Sequence, residues 1–349
     1  MKHRRDFDFQ AKMALNRRSF LNTAASGLGG IALASLLKQD GLLAAPVQAP
    51  NPLATRPPHF LGKAKNCIFL FMEGAPSQLD LFTPKPKLKE LHGQRLPESM
   101  TKNVRFAFIK ETATILGSNQ TFRKHGQCGM EFSDLLPNLA TCADDLLMIR
   151  SLHSEQFNHH PGQLLMQCGR AAFGLPTIGS WLSYGLGSPS QDLPGYVVLN
   201  SGVGSSGGAS LWQSGVLPTT HVGVVLRDQG VPVLNLVNPE GLPPELQRAS
   251  LDTLRDVNQQ RLDVMRDPEI ASRIASYELA YRMQSAAPEL ADFSGESKAT
   301  LEAYGIDRPD PPVGGRGKAK SGNTAQGYAR NCLLARRLVE RGVRFVNIL

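Results

Sequence analysis

No two of the five cysteines (Cys67, Cys128, Cys142, Cys168 and Cys332) form a Cys-x-x-Cys pair. That absence removes zinc ribbons and thioredoxin-like redox sites from consideration. An odd count also leaves at least one thiol over, even where an oxidising compartment allows one or two disulfides. Aromatic residues are scarce, at 7%, and no long stretch is low-complexity, so neither a coiled coil nor a disordered chain fits. A basic surface for nucleic acid is missing too. The formal charge is +8, but residues 1–45 alone hold seven Lys/Arg against three Asp. The remainder is spread thinly, with no basic stripe and no interleaved aromatics, so no nucleic-acid partner is expected. The Gly/Ser-rich stretch 202–210 does not match a phosphate-binding P-loop, and no nucleotide cofactor is expected.

What is present is 349 residues, 41% of them hydrophobic, with 33 glycines and 24 prolines. That is ample for a large core and points to a loop-rich α/β protein. The N-terminus carries Asn16-Arg17-Arg18-Ser19-Phe20-Leu21, which resembles the twin-arginine export signal. The Gly/Ala-rich apolar stretch 22–37 follows. It is too short and too rich in glycine for a membrane span, and it suits the apolar region of a signal peptide. Leu43-Ala44-Ala45 supplies a cleavage region. The expected organisation is a signal peptide over 1–45, a Pro-rich linker over 46–64 and one α/β domain over 65–349. The expected place is periplasmic or at the cell surface, with the twin-arginine translocation machinery as partner. That route carries folded proteins, often with a metal already inserted.

In the mature chain, Cys67 to Met72 is a continuous apolar run, which predicts a strand buried on both faces of a parallel sheet. It stops at Glu73-Gly74-Ala75-Pro76-Ser77, and loops at the carboxyl ends of such strands are where ligands bind. Residues 84–130 read as polar surface loops with some hairpin, 131–143 as a helix and 145–151 as a second buried strand. A polar loop, 153–160, leads to Pro161 in the first turn of a helix running to Gln167. A short helix within 174–187, a third strand at 195–200 and one or two helices over 245–285 follow. An amphipathic helix from Tyr328 to Arg341, with Cys332, Leu333, Leu334 and Leu338 inward, ends at Gly342 and gives way to a strand at 343–349. The chain stops inside that strand, and the expectation is that it is truncated.

Several segments carry a family resemblance. They are the run from Asn66 to Phe82, Leu147-Met148-Ile149-Arg150-Ser151-Leu152-His153, the Asn158-His159 pair with Pro161, and 176–187. Further matches are 280–284 and Asn331 to Arg337 running into Gly342 to Val346. Together they resemble the exported, sulfatase-like family called domain of unknown function 1501. The resemblance implies a three-layer α/β/α fold with a mainly parallel sheet, like that of alkaline phosphatases and sulfatases, here truncated at the C-terminus. It also implies a metal-dependent hydrolase of sulfate or phosphate esters, acting on a small molecule or polysaccharide. One or two divalent ions (zinc, calcium or similar) would serve it, and segments absent from this chain would supply much of their site. The alternative is a non-catalytic exported binding protein on the same fold.

The candidate residues follow from chemistry and position. Glu73 stands where sulfatases place the first metal-binding carboxylate, and Ser77 and Asp80 lie in the same loop. His153, Asn158, His159 and His160 crowd one loop between a strand and a helix, and three histidines in eight residues favour a ligand or base there. The resemblance puts His159 where sulfatases keep a Cys or Ser nucleophile, Gly162 in place of the following Ser, and Gln163 in place of an oxyanion-binding Arg. Formylglycine chemistry is therefore not expected. The candidate metal ligands are Glu73, Asp80, His153, Asn158 and His160, and the candidate catalytic groups are His159 and Ser77. The helix start near Pro161 would favour a bound anion. His221 and the Gly/Ser loop 202–210 read as structural, and His125 with Cys128 lacks the partners a metal site needs.

Overall fold

A computed structural model describes residues 51–74, 76–102, 112–201, 205–227, 238–309 and 324–349. Residues 1–45, with Arg17, Arg18, Phe20 and Leu21, lie outside them, as do 46–50 of the linker and the tip 202–204 of the Gly/Ser stretch. No helix among the described residues is long and apolar enough to cross a membrane.

Four strands form one parallel sheet: β1 (Cys67–Leu70), β4 (Tyr196–Asn200), β5 (Val224–Arg227) and β6 (Phe345–Ile348), in the order β1-β6-β4-β5. Each neighbouring pair is parallel, with Cys67 opposite Phe345, Val197 opposite Val346, and Val197 also opposite Val224. Successive side chains of a strand point to opposite faces, so the apolar residues of β4 and β6, which fall on both faces, need cover on both sides. They have it. On one face Val197, Leu199, Val346 and Ile348 pack against Leu334, Ala335 and Leu338 of an amphipathic helix, Thr324–Glu340. On the other, Tyr196, Val198 and Phe345 pack with Leu182 of a second helix, Ile178–Leu186. The architecture is α/β with helices on both faces of the sheet.

The helices are α1 (His159–Cys168), α2 (Ile178–Leu186), α3 (Pro244–Met265), α4 (Pro268–Ala291), α5 (Lys298–Tyr304) and α6 (Thr324–Glu340), besides several single turns. Asn158 and Asp267 cap α1 and α4 with side-chain oxygens, and Ser297 does the same for α5, as N-cap chemistry favours. Gly342, at φ 89°, takes the left-handed conformation that ends α6, and the Val343 N–H returns to the Leu338 carbonyl at 3.0 Å.

Three expectations need correction. The segment 145–151 is not a strand. A 3-10 turn, Ala143–Asp145, opens it, and Leu147, Ile149 and Leu152 are exposed (86%, 54% and 75%), so of the four expected strands only 67–72, 195–200 and 343–349 share the sheet. The segment 131–143 is not one helix. Pro137 disfavours the helical region for the residue before it, and Leu136 sits at φ −118°, ψ 51°. The start of that segment instead forms β3 (Met130–Ser133), paired antiparallel with β2 (Phe122–His125), with Phe132 packed on Ala140 and Ala143. Finally, β1 is an edge strand rather than a strand buried on both faces: Ile68 and Leu70 are 38% and 48% exposed. All five cysteines are free.

Candidate functional site

All four strands of the sheet point the same way, so the segments after β1 and β4 emerge at one edge, the carboxyl edge. After β1 the chain turns at Glu73-Gly74, with Gly74 at φ 82°. A Cβ on Gly74 would stand 3.4 Å from His159 Cε1 and 3.7 Å from its Nδ1. The imidazole that opens α1 is thus seated against the turn that carries Glu73. The left-handed φ is the reason glycine is needed there.

A hydrogen-bond relay ties the two to the segment after β4. Gln163 Nε2 donates to Ser206 Oγ at 3.2 Å, and Ser206 Oγ donates to Glu73 Oε1 at 2.9 Å. The Gly207 N–H donates to Gln163 Oε1 at 2.9 Å, so both ends of this amide are engaged. Gln163 is 2% exposed, whereas Glu73 and His159 face solvent. The arrangement is an exposed carboxylate and an exposed imidazole at the carboxyl edge of a parallel sheet, the carboxylate held by the Ser206 hydroxyl, which the buried Gln163 amide fixes in turn.

The first turn of α1 offers an anion little. Asn158 Oδ1 accepts from the His159 N–H at 2.9 Å, the Gly162 N–H bonds to the Asn158 carbonyl at 3.1 Å, and Pro161 has no N–H. The His160 N–H is the one amide of that turn left for a ligand among the described residues.

The other candidates are not gathered at this point. His160 turns its ring edge-on to Phe173, with centroids 5.1 Å apart, and its Nε2 is buried and unpartnered among the described residues. His153 is exposed, in the stretch without regular structure before α1. Asn158 is spent as the cap. Ser77 Oγ donates to Asp80 Oδ2 at 2.6 Å. Hydrogen bonds from Ser118 and then Ser77 hold the Asp80 carboxyl below its usual range. No hydrogen bond among the described residues joins Ser77 or Asp80 to Glu73 or His159. Likewise no three His, Cys, Asp or Glu side chains among the described residues converge as a metal site would require.

Ser206, Gly207 and the positioning part of Gln163 escaped sequence reasoning. The signal that could have found them is position: Ser205-Ser206-Gly207-Gly208 follows a strand at its carboxyl end. The Gly/Ser loop read as structural thus brings Ser206 to Glu73, whereas His221 and the turn at Cys128 make their contacts away from this point. The Asp144 carboxylate accepts from the Cys128 and Gln127 N–H groups at 2.8 and 2.9 Å, closing the β2–β3 turn. His221 is 1% exposed and shares a hydrogen bond of 3.0 Å with Ser183 Oγ.

Fold and edge together define an α/β protein with its candidate site at the carboxyl end of a parallel sheet. Residues 64–349 match the family model described as "Protein of unknown function (DUF1501)", and the chain belongs to that family. A search of curated proteins and a search of solved structures each returned no match.

Proposed function

We propose that the chain is an exported, sulfatase-like hydrolase of sulfate or phosphate esters, on a fold of the alkaline-phosphatase and sulfatase type. The observation that carries this reading is the seating of His159 against the Glu73-Gly74 turn at the carboxyl edge of the sheet. An ester's anionic group would be met by the His160 N–H at the start of α1. The His159 imidazole serves as base or nucleophile toward it. Glu73, oriented by Ser206, accepts a hydrogen bond from the attacking water or the departing hydroxyl.

A divalent ion (zinc, calcium or similar) would supply charge neutralisation and Lewis acidity in such chemistry. The described residues do not make up its site. Glu73 and His159 are two donors, and a catalytic zinc takes three protein ligands. No step is therefore routed through a metal.

A second reading, binding without turnover, is favoured by Gln163. Sulfatases keep an arginine at the corresponding position, but this amide is buried and bonded to Ser206 and Gly207, so it reaches no ester oxygen.

One assay separates the two readings. Hydrolysis of p-nitrophenyl sulfate and p-nitrophenyl phosphate is measured with and without added zinc or calcium, for the protein and for His159→Ala. The variant is expected to lose about 100-fold or more, the lower range for a positioned acid–base group. Equal rates in both proteins would sink the hydrolase. No turnover, together with His159-dependent binding of inorganic sulfate or phosphate by calorimetry, would establish the binding protein. Export has its own test. Replacing Arg17 and Arg18 by Lys is expected to retain the protein in the cytoplasm, and efficient export of that variant would remove the twin-arginine reading.

A further inference from the structure

The sheet ends in two unlike edges. Along β5 the residues Val224, Val225 and Leu226 are half-buried or buried, whereas along β1 Cys67, Ile68 and Leu70 are exposed. The N–H groups of Cys67 and Phe71 bond to the Arg344 and Ile348 carbonyls along β6, both at 2.9 Å. Backbone groups of alternate strand residues point to opposite sides, so those of Ile68 and Leu70 face outward. No strand among the described residues takes them. A free edge is a template for another strand, and proteins that keep it free set Lys or Pro within it. Here the run 67–72 holds no charge and no proline. The charges stand at its two ends, Lys65 before it and Glu73 after it.

A strand that fits this edge in the opposite direction is the same segment from a second copy. Reversed about Phe69, the segment sets Ile68 opposite the partner's Leu70, Cys67 opposite the partner's Phe71 and Lys65 opposite the partner's Glu73. In that register Ile68 and the partner's Leu70 exchange their outward N–H and C=O groups, the hydrogen-bonded pairing of an antiparallel ladder. The side chains of Ile68 and Leu70, 38% and 48% exposed, then cover those of the other copy across the seam.

The end charges select this partner and this direction. The Lys65 ammonium is exposed and makes no ion pair among the described residues, and Ser206 engages only Oε1 of Glu73. An isologous pair makes the Lys65–Glu73 contact twice, once at each end of the seam. A parallel partner in register would set Lys65 against Lys65 and Glu73 against Glu73, and like charges directly opposite are destabilising.

We propose that a second copy of this chain pairs antiparallel with the free edge of β1, joining the two sheets into one and bringing the partner's Lys65 to the Glu73 turn. The inference is independent of the chemistry proposed for that turn. Sedimentation equilibrium of the 349-residue protein is expected to show monomer and dimer, with Kd of about 1–100 µM for an interface below standard size. Lys65→Glu alone, or Glu73→Lys alone, opposes like charges at both ends and should weaken the dimer about tenfold. An equimolar mixture of the two variants meets opposite charges at both ends and should recover the parent affinity to within about threefold. Leu70→Pro removes an outward donor and no bond to β6, so it should abolish the dimer while circular dichroism stays that of the parent. Should that variant fail to fold, the charge reversals and their mixture carry the test. The proposal is overturned if the protein stays monomeric up to about 1 mM. It is equally overturned by a dimer that both charge reversals leave unchanged, or by a mixture no tighter than either variant alone.

Discussion

Leu338→Ala is expected to cost the domain about 4 kcal/mol, within the roughly 2–5 kcal/mol of buried leucine truncations. Leu338 is fully buried on the inner stripe of α6, in one cluster with Leu199, Leu334, Val343, Val346 and Ile348. It is enclosed by helix on one side and sheet on the other. The strands beneath it are held by their own ladder, so the space left by three lost carbons cannot collapse cheaply. The Leu338 carbonyl also receives the Val343 N–H that turns the chain into β6. Urea unfolding should show the loss as a lower midpoint at unchanged slope. Val264→Ala on α3, 84% exposed, is the control and should change stability by no more than about 0.5 kcal/mol. A loss below about 1 kcal/mol at Leu338 would mean that the contact of α6 with the sheet is not the core.

That helix and its strand were legible because two signals agreed. The apolar positions 333, 334 and 338 recur at helical spacing, and Gly342 stops the helix just before a run of strand formers. The run 145–151 offered only half as much. A short apolar run reads the same whether it is a strand, part of a buried helix or a covered loop, and nothing in it names a pairing partner. The run 67–72 was placed in the correct sheet, but burial on both faces depends on what lies beside it, and that is a tertiary fact. Strand β5 was missed because its apolar residues, Val224, Val225 and Leu226, are few and follow a 3-10 turn.

For the candidate site, position was more legible than membership. Glu73 and His159 stand out as polar residues after apolar segments, and parallel strands bring such ends to one edge. Which histidine faces that edge was not readable, because His159 and His160 are neighbours and differ only in helix phase. His160 is spent on Phe173, and His159 is set against a glycine. The part played by Ser206 depends on a buried glutamine 43 residues away in sequence, a pairing no local pattern encodes.

The buried histidine gives the second large effect, a loss of stability as the pH falls from about 6.5 to 4 that His221→Gln abolishes. Burial, and then the Arg56 charge, lower the His221 pKa from 6.5 to about 4, while the Glu269 charge works the other way. Ser183 and Tyr184 of α2 complete its surroundings: Ser183 Oγ shares the 3.0 Å hydrogen bond with Nδ1, and the Tyr184 ring stands edge-on at 5.4 Å. The folded-state pKa is the lower of the two. Between pH 6.5 and 4 the unfolded chain therefore takes up a proton that the folded chain refuses. The stabilisation is whole above pH 6.5 and is lost progressively on acidification, reaching about 3 kcal/mol at pH 4. Denaturant melts at pH 7.5, 5.5 and 4.0 should show the parent losing that much more than His221→Gln. Carboxylates that titrate in the same range are common to both proteins and cancel in the difference. If the two proteins lose stability in parallel, the ring is already charged in the folded state, or water reaches it. In either case the desolvation argument fails.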